Sequence, residues 1–185
     1  MGLAVMVDLE SLNITPDTCI LTIGAVVFEP KSTGIIERIE IRPSIDEQLQ
    51  LGRTISEDTV EWWGKQSPEA QEEAFGDHGR IPFKDAMERF YQFCLHKHTV
   101  WSNGASFDVV VMENALQQVG KRIPWAYYNV RDTRTLYDAT GLRLGDGGHV
   151  TSHKAVEDAE HQAVVVQAGY KKLIDAGLVK PLKVK

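Results

Sequence analysis

The chain has 185 residues, of which 43% are hydrophobic and 25% are charged, a composition that is typical of one globular domain and excludes a disordered or fibrous protein. The net charge of −6 argues against a protein that holds long nucleic-acid duplexes by electrostatic attraction, but it leaves open an enzyme that handles only a strand end. Cys19 and Cys94 lie in apolar runs and form neither a disulfide framework nor a CxxC zinc pair. The apolar start reaches an acid at Asp8, too early for a signal peptide or a membrane span. We therefore expect a cytoplasmic protein with a single domain over residues 1–185.

The first part of the chain predicts three strands. Residues 3–9, LAVMVDL, form a continuous apolar run that is typical of a strand buried on both faces. After a turn, residues 19–28 predict a second strand and residues 35–41 a third. Three consecutive strands favour an antiparallel meander.

The rest of the chain predicts helices alternating with short strands. Helices are predicted to begin near Ser56 and Ser67 and to cover residues 83–95. Another helix is predicted to follow the Asn103-Gly104 turn and to reach about Val119, and a further one covers DTRTLYDAT. The last helix carries an apolar stripe from Ala155 to Leu173. Short strands are expected at 99–102 and 128–130. This order indicates an α/β sheet with helices packed on it.

Two acids, Asp8 and Glu10, end the first predicted strand. Residues i and i+2 of a strand point to the same face, so both carboxylates should project together. Neighbouring carboxylates are costly to bury unless a cation compensates them, and oxygen ligands suit Mg²⁺ or Mn²⁺ rather than zinc. The D-x-E pattern alone is weak evidence, because Asp158 and Glu160 repeat it. The alternative to a metal site is that the two acids belong to a turn at the end of the strand.

A third acid, Asp108, follows another short strand in the segment WSNGASFD. The turn at Asn103-Gly104, with Ser106 as a candidate cap, places Asp108 in the first turn of a helix. Asp108 could simply complement the helix dipole. The alternative is a ligand-binding role, because α/β sheets bind ligands at the carboxyl ends of their strands.

The last candidates are His153 and Asp158, since His153 is the one histidine of six with an aspartate five residues later. Five residues turn a helix about 140° past its start, which suits a metal-binding Asp158 and a proton-accepting His153 at the helix entrance. Small Ala155 and Ala159 would let this helix lie close to the sheet. A solvated helix end is the alternative. A zinc pair of His149 and His153 is disfavoured, because the GDGGH context predicts a loop.

Three motifs, Asp8-Leu-Glu10, Asn103-Gly-Ala-Ser-Phe-Asp108 and His153-x4-Asp158, resemble those of the DEDDh branch of the DEDD exonuclease superfamily. Five segments in order look closer still to a subgroup of phage and bacterial exonucleases, some exodeoxyribonuclease VIII-like and others exoribonucleases: DLESL, TVEWWGKQSPEA, WSNGASFD, YYNVRDTRT and HKAVEDA. The resemblance covers about residues 3–173. The resemblance implies an RNase H-like fold, with a mixed five-stranded sheet flanked by helices.

The resemblance also implies a catalytic set. Asp8, Glu10, Asp108 and Asp158 would hold two divalent cations, Mg²⁺ or Mn²⁺, and His153 would be the general base. The expected reaction is metal-dependent 3′-5′ hydrolysis of single-stranded nucleic acid, with DNA slightly favoured over RNA, releasing nucleoside 5′-monophosphates by a two-metal mechanism.

Four residues are candidates for substrate binding. Leu12 could wedge against the terminal base, Asn103 could hydrogen-bond the strand, and Trp62 could stack a base. Ser11 keeps a hydroxyl where relatives often have threonine. Arg131 or Arg134 could reach a phosphate.

Other functions stay open at this stage. A catalytically silent nucleic-acid-binding module and a small-nucleotide phosphohydrolase are the alternatives. A homodimer is expected from the resemblance only.

Overall fold

The computed structural model describes residues 2–145 and 154–182, and all structural statements below concern these residues. They contain six strands in one sheet. The strands are β1 (Ala4–Ser11), β2 (Ile20–Phe28), β3 (Ile35–Pro43), β4 (Arg80–Ile81), β5 (Thr99–Ser102) and β6 (Val130–Asp132).

The strand order across the sheet is β4-β3-β2-β1-β5-β6. The strands β1, β2 and β3 form an antiparallel meander. The remaining pairs, β1 with β5, β5 with β6 and β3 with β4, are parallel. β1 therefore lies in the middle of a mixed sheet. Because β1, β5 and β6 are parallel, their carboxyl ends lie at the same end of the sheet.

Seven α-helices lie within the described residues. They are α1 (Ile45–Gln50), α2 (Glu57–Trp63), α3 (Pro68–Phe75), α4 (Phe83–Cys94), α5 (Asp108–Gln118), α6 (Thr133–Thr140) and α7 (Ala155–Asp175). None of these helices combines the length and the apolar character that a membrane span needs.

The core has a layer on each face of the sheet. On one face, α4 and α5 pack against β1 through residues such as Val7, Phe90 and Met112. On the other face, α6 and α7 cover β1, β2 and β5 through residues such as Met6 and Val166. A third cluster, which includes Leu12 and Trp63, lies under α2 and α3.

The predicted α/β architecture, with its meander and its flanking helices, is confirmed. The expected number of five strands is one too few, because the sheet also includes β4 at its edge. A strand of two residues is too short for an alternating pattern to reveal it. The six-residue α1 was not predicted either, although Ser44 caps it by accepting a hydrogen bond from the Glu47 N–H.

Candidate active site

The site begins where β1 ends. Alternate residues of β1 face opposite layers of the core: Val5 and Val7 face α4 and α5, whereas Met6 faces α7. Asp8 and Glu10 continue the α7 side of this alternation. The pairing of β1 with β2 shifts its register after Glu10, an irregularity of the kind that ends regular pairing beside many active sites.

Helix α7 brings a third carboxylate to this strand end. Gly24 of β2 pairs with Asp8, and a Cβ atom on Gly24 would lie 2.0 Å from the carbonyl carbon of Ala155. The absent side chain therefore lets the first turn of α7 touch the sheet. Ala155 and Ala159 are fully buried at this contact, as their small size predicted. Asp158 is carried by the same turn.

The result is a compact group of three acids. Asp8, Glu10 and Asp158 each offer a carboxylate oxygen, and these oxygens all lie within 4.8 Å of one another. They line a cavity of about 230 Å³ together with Asn103 and Gln162.

The electrostatics of the group disfavour negative charge. Burial, together with the charges of Asp108 and Glu10, raises the pKa of Asp8 well above its usual range, although a hydrogen bond from Gln162 opposes this. Burial and the charges of Asp158 and Asp108 raise the pKa of Glu10 to about 8. Burial raises the pKa of Asp108 to about 6. A group of acids with pKa values raised in this way is a candidate for cation binding.

Asp108 lies beside the three acids without being one of the set within 4.8 Å. It is the first residue of α5, with Phe107 rather than Ser106 at the cap position. Interactions of the Asp108 carboxylate with Ser102 and with the backbone of Leu9 in β1 oppose the burial that raises its pKa. Because its charge acts on both Asp8 and Glu10, Asp108 belongs to the same electrostatic unit.

Hydrogen bonds from the start of α6 stabilise the loop between Asn103 and Asp108. Asp132 caps α6 by accepting from the Arg134 N–H at 2.9 Å, and it also accepts from the Ala105 N–H at 2.9 Å. The Thr133 hydroxyl donates to Asn103 Oδ1 at 2.8 Å. These contacts hold Asn103 at the wall of the acidic cavity.

A second cavity of about 370 Å³ adjoins the acids, because Leu9 and Glu10 line both spaces. Its wall includes Ser11 and Trp62, two of the candidates for substrate binding, and Trp62 is 43% exposed. Its neighbour Trp63 is buried in the core.

The structure does not place Leu12 in the wall of this second cavity, which we call the groove. Its side chain is 3% exposed and packs in the cluster under α2 and α3. A base cannot stack on a side chain covered in this way, so the wedge role expected for Leu12 is corrected. Ile14, which is 82% exposed, lines the groove instead. The turn at Asn13–Asp17 decides which side chain is presented, and linear spacing does not reveal that geometry.

Two predictions concern histidines outside the described residues. The general-base role of His153 stays a prediction, and so does the rejection of a zinc pair with His149.

Sequence reasoning also missed Gln162, whose amide donates to Asp8 Oδ1 at 2.7 Å. A signal existed, since Gln162 follows Asp158 by four residues on one helix and therefore shares its face.

The acids that line the cavity fit a hard divalent cation. All of the converging ligands are carboxylates, the donor type preferred by Mg²⁺ and Mn²⁺. Burial, together with the charges of neighbouring carboxylates, raises the pKa of Asp8 and of Glu10, and a bound cation would offset that cost of ionisation. The donor set and its electrostatics therefore agree with the divalent cations that the sequence resemblance implied.

Comparison with known proteins gives a family match and several related folds. The model of one family, described as the 3′-5′ exoribonuclease Rv2179c-like domain, matches residues 3–170. An exodeoxyribonuclease of Enterobacteria phage T4 is 22% identical over 161 residues, which is 72% of this chain and 70% of the phage protein.

Solved structures share the fold at low sequence identity. Exonuclease I of E. coli, in complex with a dT13 oligonucleotide, superposes with a TM-score of 0.63 at 15% identity, over 96% of this chain and 42% of that one. This chain therefore spans less than half of Exonuclease I. The nuclease domain of 3′hExo, a DEDDh family member bound to rAMP, gives a TM-score of 0.57 at 12% identity, over 100% of this chain and 98% of that domain.

Proposed function

The chain belongs to the family of Rv2179c-like 3′-5′ exoribonuclease domains and is a 3′-5′ exonuclease of the DEDDh type, and on that premise we propose that it removes nucleoside 5′-monophosphates from the 3′ end of single-stranded DNA or RNA. The observation that carries this proposal is the convergence of Asp8, Glu10 and Asp158 within 4.8 Å, at the carboxyl end of the central strand.

The acids are proposed as the metal ligands. Asp8, Glu10, Asp108 and Asp158 would hold two divalent cations, Mg²⁺ or Mn²⁺. When bound, such cations supply the positive charge that activates water and stabilises the leaving oxygen of a phosphodiester. The protein's own contribution is rigid placement, because Asp8 and Glu10 lie on a buried strand and Asp158 lies on a helix packed directly against the adjacent strand β2.

His153 is proposed as the general base that accepts the proton of the attacking water. An imidazole has an ordinary pKa of about 6.5, so it is largely neutral and able to accept a proton near pH 7. The support for this role is the His153-x4-Asp158 motif within a chain of this family.

The groove beside the acids is proposed to hold the terminal nucleotide. Trp62 and Ile14 offer exposed apolar surface on which a base of any sequence can stack. Ser11 and Asn103 would hydrogen-bond the sugar and the phosphate. Because Glu10 lines both the groove and the acidic cavity, a nucleotide in the groove would bring its phosphodiester towards the acids.

The experiment uses matched single-stranded DNA and RNA oligonucleotides labelled at the 5′ end, incubated with Mg²⁺, Mn²⁺ or EDTA. We expect a ladder that shortens from the 3′ end, with metal only, and 5′-monophosphates as products. Asp8→Ala should abolish the ladder, whereas Asp138→Ala, at an exposed acid of α6, should leave it unchanged.

The two strand types serve as separate arms, because the family description refers to RNA and the phage relative is described as acting on DNA. Cleavage of dinucleotides alone would replace the proposal with a small-nucleotide phosphohydrolase. Binding of oligonucleotides by folded, Mn²⁺-loaded protein without any cleavage would replace it with a silent binding module.

A further inference from the structure

Gln162 is a buried amide in contact with the central acid of the site. Its side chain lies on α7, one turn after Asp158, and the residue is 2% exposed. Its Nε2 atom donates to Asp8 Oδ1 at 2.7 Å, and its carbonyl oxygen has no hydrogen-bond partner among the described residues. The contact with Asp8 is therefore what orients this amide within the described part of the chain.

The direction of the hydrogen bond limits what Gln162 can do. In the structure the amide nitrogen faces Asp8 and the carbonyl oxygen faces away, which is the arrangement that an ionised, metal-binding carboxylate needs, because it can only accept. With Oδ1 engaged in this way, the torsion angle of the Asp8 carboxyl group is fixed, and its free lone pairs have defined directions. Asp8 lies within reach of the Glu10 and Asp158 oxygens, so the orientation of one carboxylate sets the shape of the whole ligand group.

The other buried glutamine of α7, Gln167, makes different contacts. Gln167, also on α7 and 6% exposed, uses its side chain to bond the backbone of Glu29 and of Gly34 on the β2–β3 connection. Gln167 has a structural role away from the acids. Gln162, by contrast, bonds an acid of the site and lines the acidic cavity.

We propose that Gln162 is a positioning residue that orients the Asp8 carboxylate for binding a divalent cation. This inference rests on the proposed metal site, and it adds a residue that acts through Asp8 rather than on the substrate. Polar groups that hydrogen-bond metal ligands typically change metal affinity or activity by about 10- to 100-fold when they are removed. Gln162 has the burial, the hydrogen-bond direction and the contact distance for such an effect.

The test compares wild-type protein with Gln162→Met, which keeps the approximate volume of the side chain but removes the amide. Mn²⁺ affinity is measured by titration calorimetry without substrate, and turnover is measured as a function of Mn²⁺ concentration. We expect Gln162→Met to bind Mn²⁺ about 10- to 100-fold more weakly. Its turnover should fall most at low Mn²⁺ and recover as the concentration of Mn²⁺ rises.

Gln167→Met is the matched control, because it removes a buried amide of the same helix that has no contact with the acids. It should lower the melting temperature and leave Mn²⁺ affinity unchanged. Equal Mn²⁺ affinity of Gln162→Met and wild type would overturn the positioning role. If Gln162→Met does not fold, Gln162→Asn serves the same comparison, since its amide is one methylene too short to hold Asp8 in the same way.

The two proposals fail in different ways. If the wild-type protein itself binds no Mn²⁺, the proposed metal site is wrong and the role of Gln162 is wrong with it. If the wild type binds Mn²⁺ and cleaves strands while Gln162→Met matches it at every Mn²⁺ concentration, only the inference about Gln162 is lost.

Discussion

Glu10 shows how a side chain placed for chemistry can weaken the fold that holds it. Burial and the charges of Asp158 and Asp108 raise the pKa of Glu10 from an ordinary value of 4.5 to about 8. A group whose pKa is raised by folding contributes stability below its unfolded pKa, and that contribution is lost as the pH rises towards the folded pKa. The metal-free protein should therefore lose stability between about pH 4.5 and pH 8 through this group.

Glu10→Gln should separate stability from activity. The neutral amide removes the cost of charging a buried acid, so we expect the metal-free variant to melt at a higher temperature than wild type at pH 8. The gain should shrink towards pH 5, where Glu10 is already protonated. About 1 kcal/mol of added stability corresponds to roughly 2–4 °C in a protein of this size. Turnover should fall to background, because a proposed metal ligand is lost.

The measurement is thermal unfolding of the metal-free protein at several pH values, with Glu37→Gln as control because Glu37 is exposed on β3. A lower melting temperature for Glu10→Gln than for wild type at pH 8 would contradict the expectation that ionised Glu10 destabilises the metal-free protein.

Among the helices and strands, the contact between β2 and α7 decides whether the site exists at all. A Cβ atom at residue 24 would approach the Ala155 carbonyl carbon to 2.0 Å and the Val156 nitrogen to 2.2 Å. Both atoms belong to the backbone, so no side-chain rotation can relieve the overlap. The first turn of α7, which carries Asp158, would have to move away from Asp8.

Gly24→Ala is therefore expected to destabilise the protein by about 1–3 kcal/mol or more, the usual cost of overpacking a core. Turnover should fall as well, even under conditions where the variant is folded, because Asp158 would no longer reach Asp8 and Glu10. The measurements are chemical denaturation and the oligonucleotide assay. Gly64→Ala is the control, since its backbone is helical and the nearest atom to a new Cβ lies 3.4 Å away. Wild-type activity in a well-folded Gly24→Ala variant would contradict the proposed packing.

The elements also show where sequence reasoning succeeded and where it could not. The strand before Asp8 and the alanine face of α7 were predictable, because long runs with a clear hydrophobic period indicate both. The approach of Asp158 to Asp8 was expected only in outline, since nothing in a linear pattern reports that Gly24 faces Ala155 across the sheet.

Exposure was harder to predict than secondary structure. Leu12 and Ile14 are both apolar and both follow the acids, yet Leu12 is buried and Ile14 is exposed. The difference arises from the turn between β1 and β2 and from the packing of α2, which are tertiary features. The hydrogen bond from Gln162 to Asp8 has the same origin, although its helical spacing from Asp158 gave a hint.

Over the whole molecule, charge is distributed unevenly. The net charge is −6, yet residues 119–143 contain five basic and two acidic residues, a formal charge of +3. This stretch includes β6, which runs parallel to β5, and α6, which begins at the carboxyl end of β6. The acids lie at this same end of the sheet. The net negative charge of the chain repels a polyanionic strand, so we expect its phosphates to approach the site from this basic stretch.

Arg134, one of the basic residues of this stretch, lies against the loop between Asn103 and Asp108. A Cβ on Gly104 would lie 3.0 Å from Arg134 Nη1, so the guanidinium lies over the loop between Asn103 and Asp108. Its charge also acts on Asp108. Arg131 differs, since its guanidinium donates to the carbonyl oxygens of Tyr128 and Val130. We therefore expect Arg134, rather than Arg131, to bind a phosphate of the strand.

Arg134→Ala should weaken the binding of single-stranded oligonucleotides of any sequence to a similar degree, because a phosphate contact carries no sequence information. Each phosphate contact contributes about 0.7 to the slope of log K against log salt concentration for single strands, so the slope should become shallower by about that amount. Binding is measured by fluorescence anisotropy in the Glu10→Gln background, which prevents cleavage, and Arg131→Ala is the matched control. An unchanged slope in Arg134→Ala, or an equal change in Arg131→Ala, would show that the strand takes a different path to the acids.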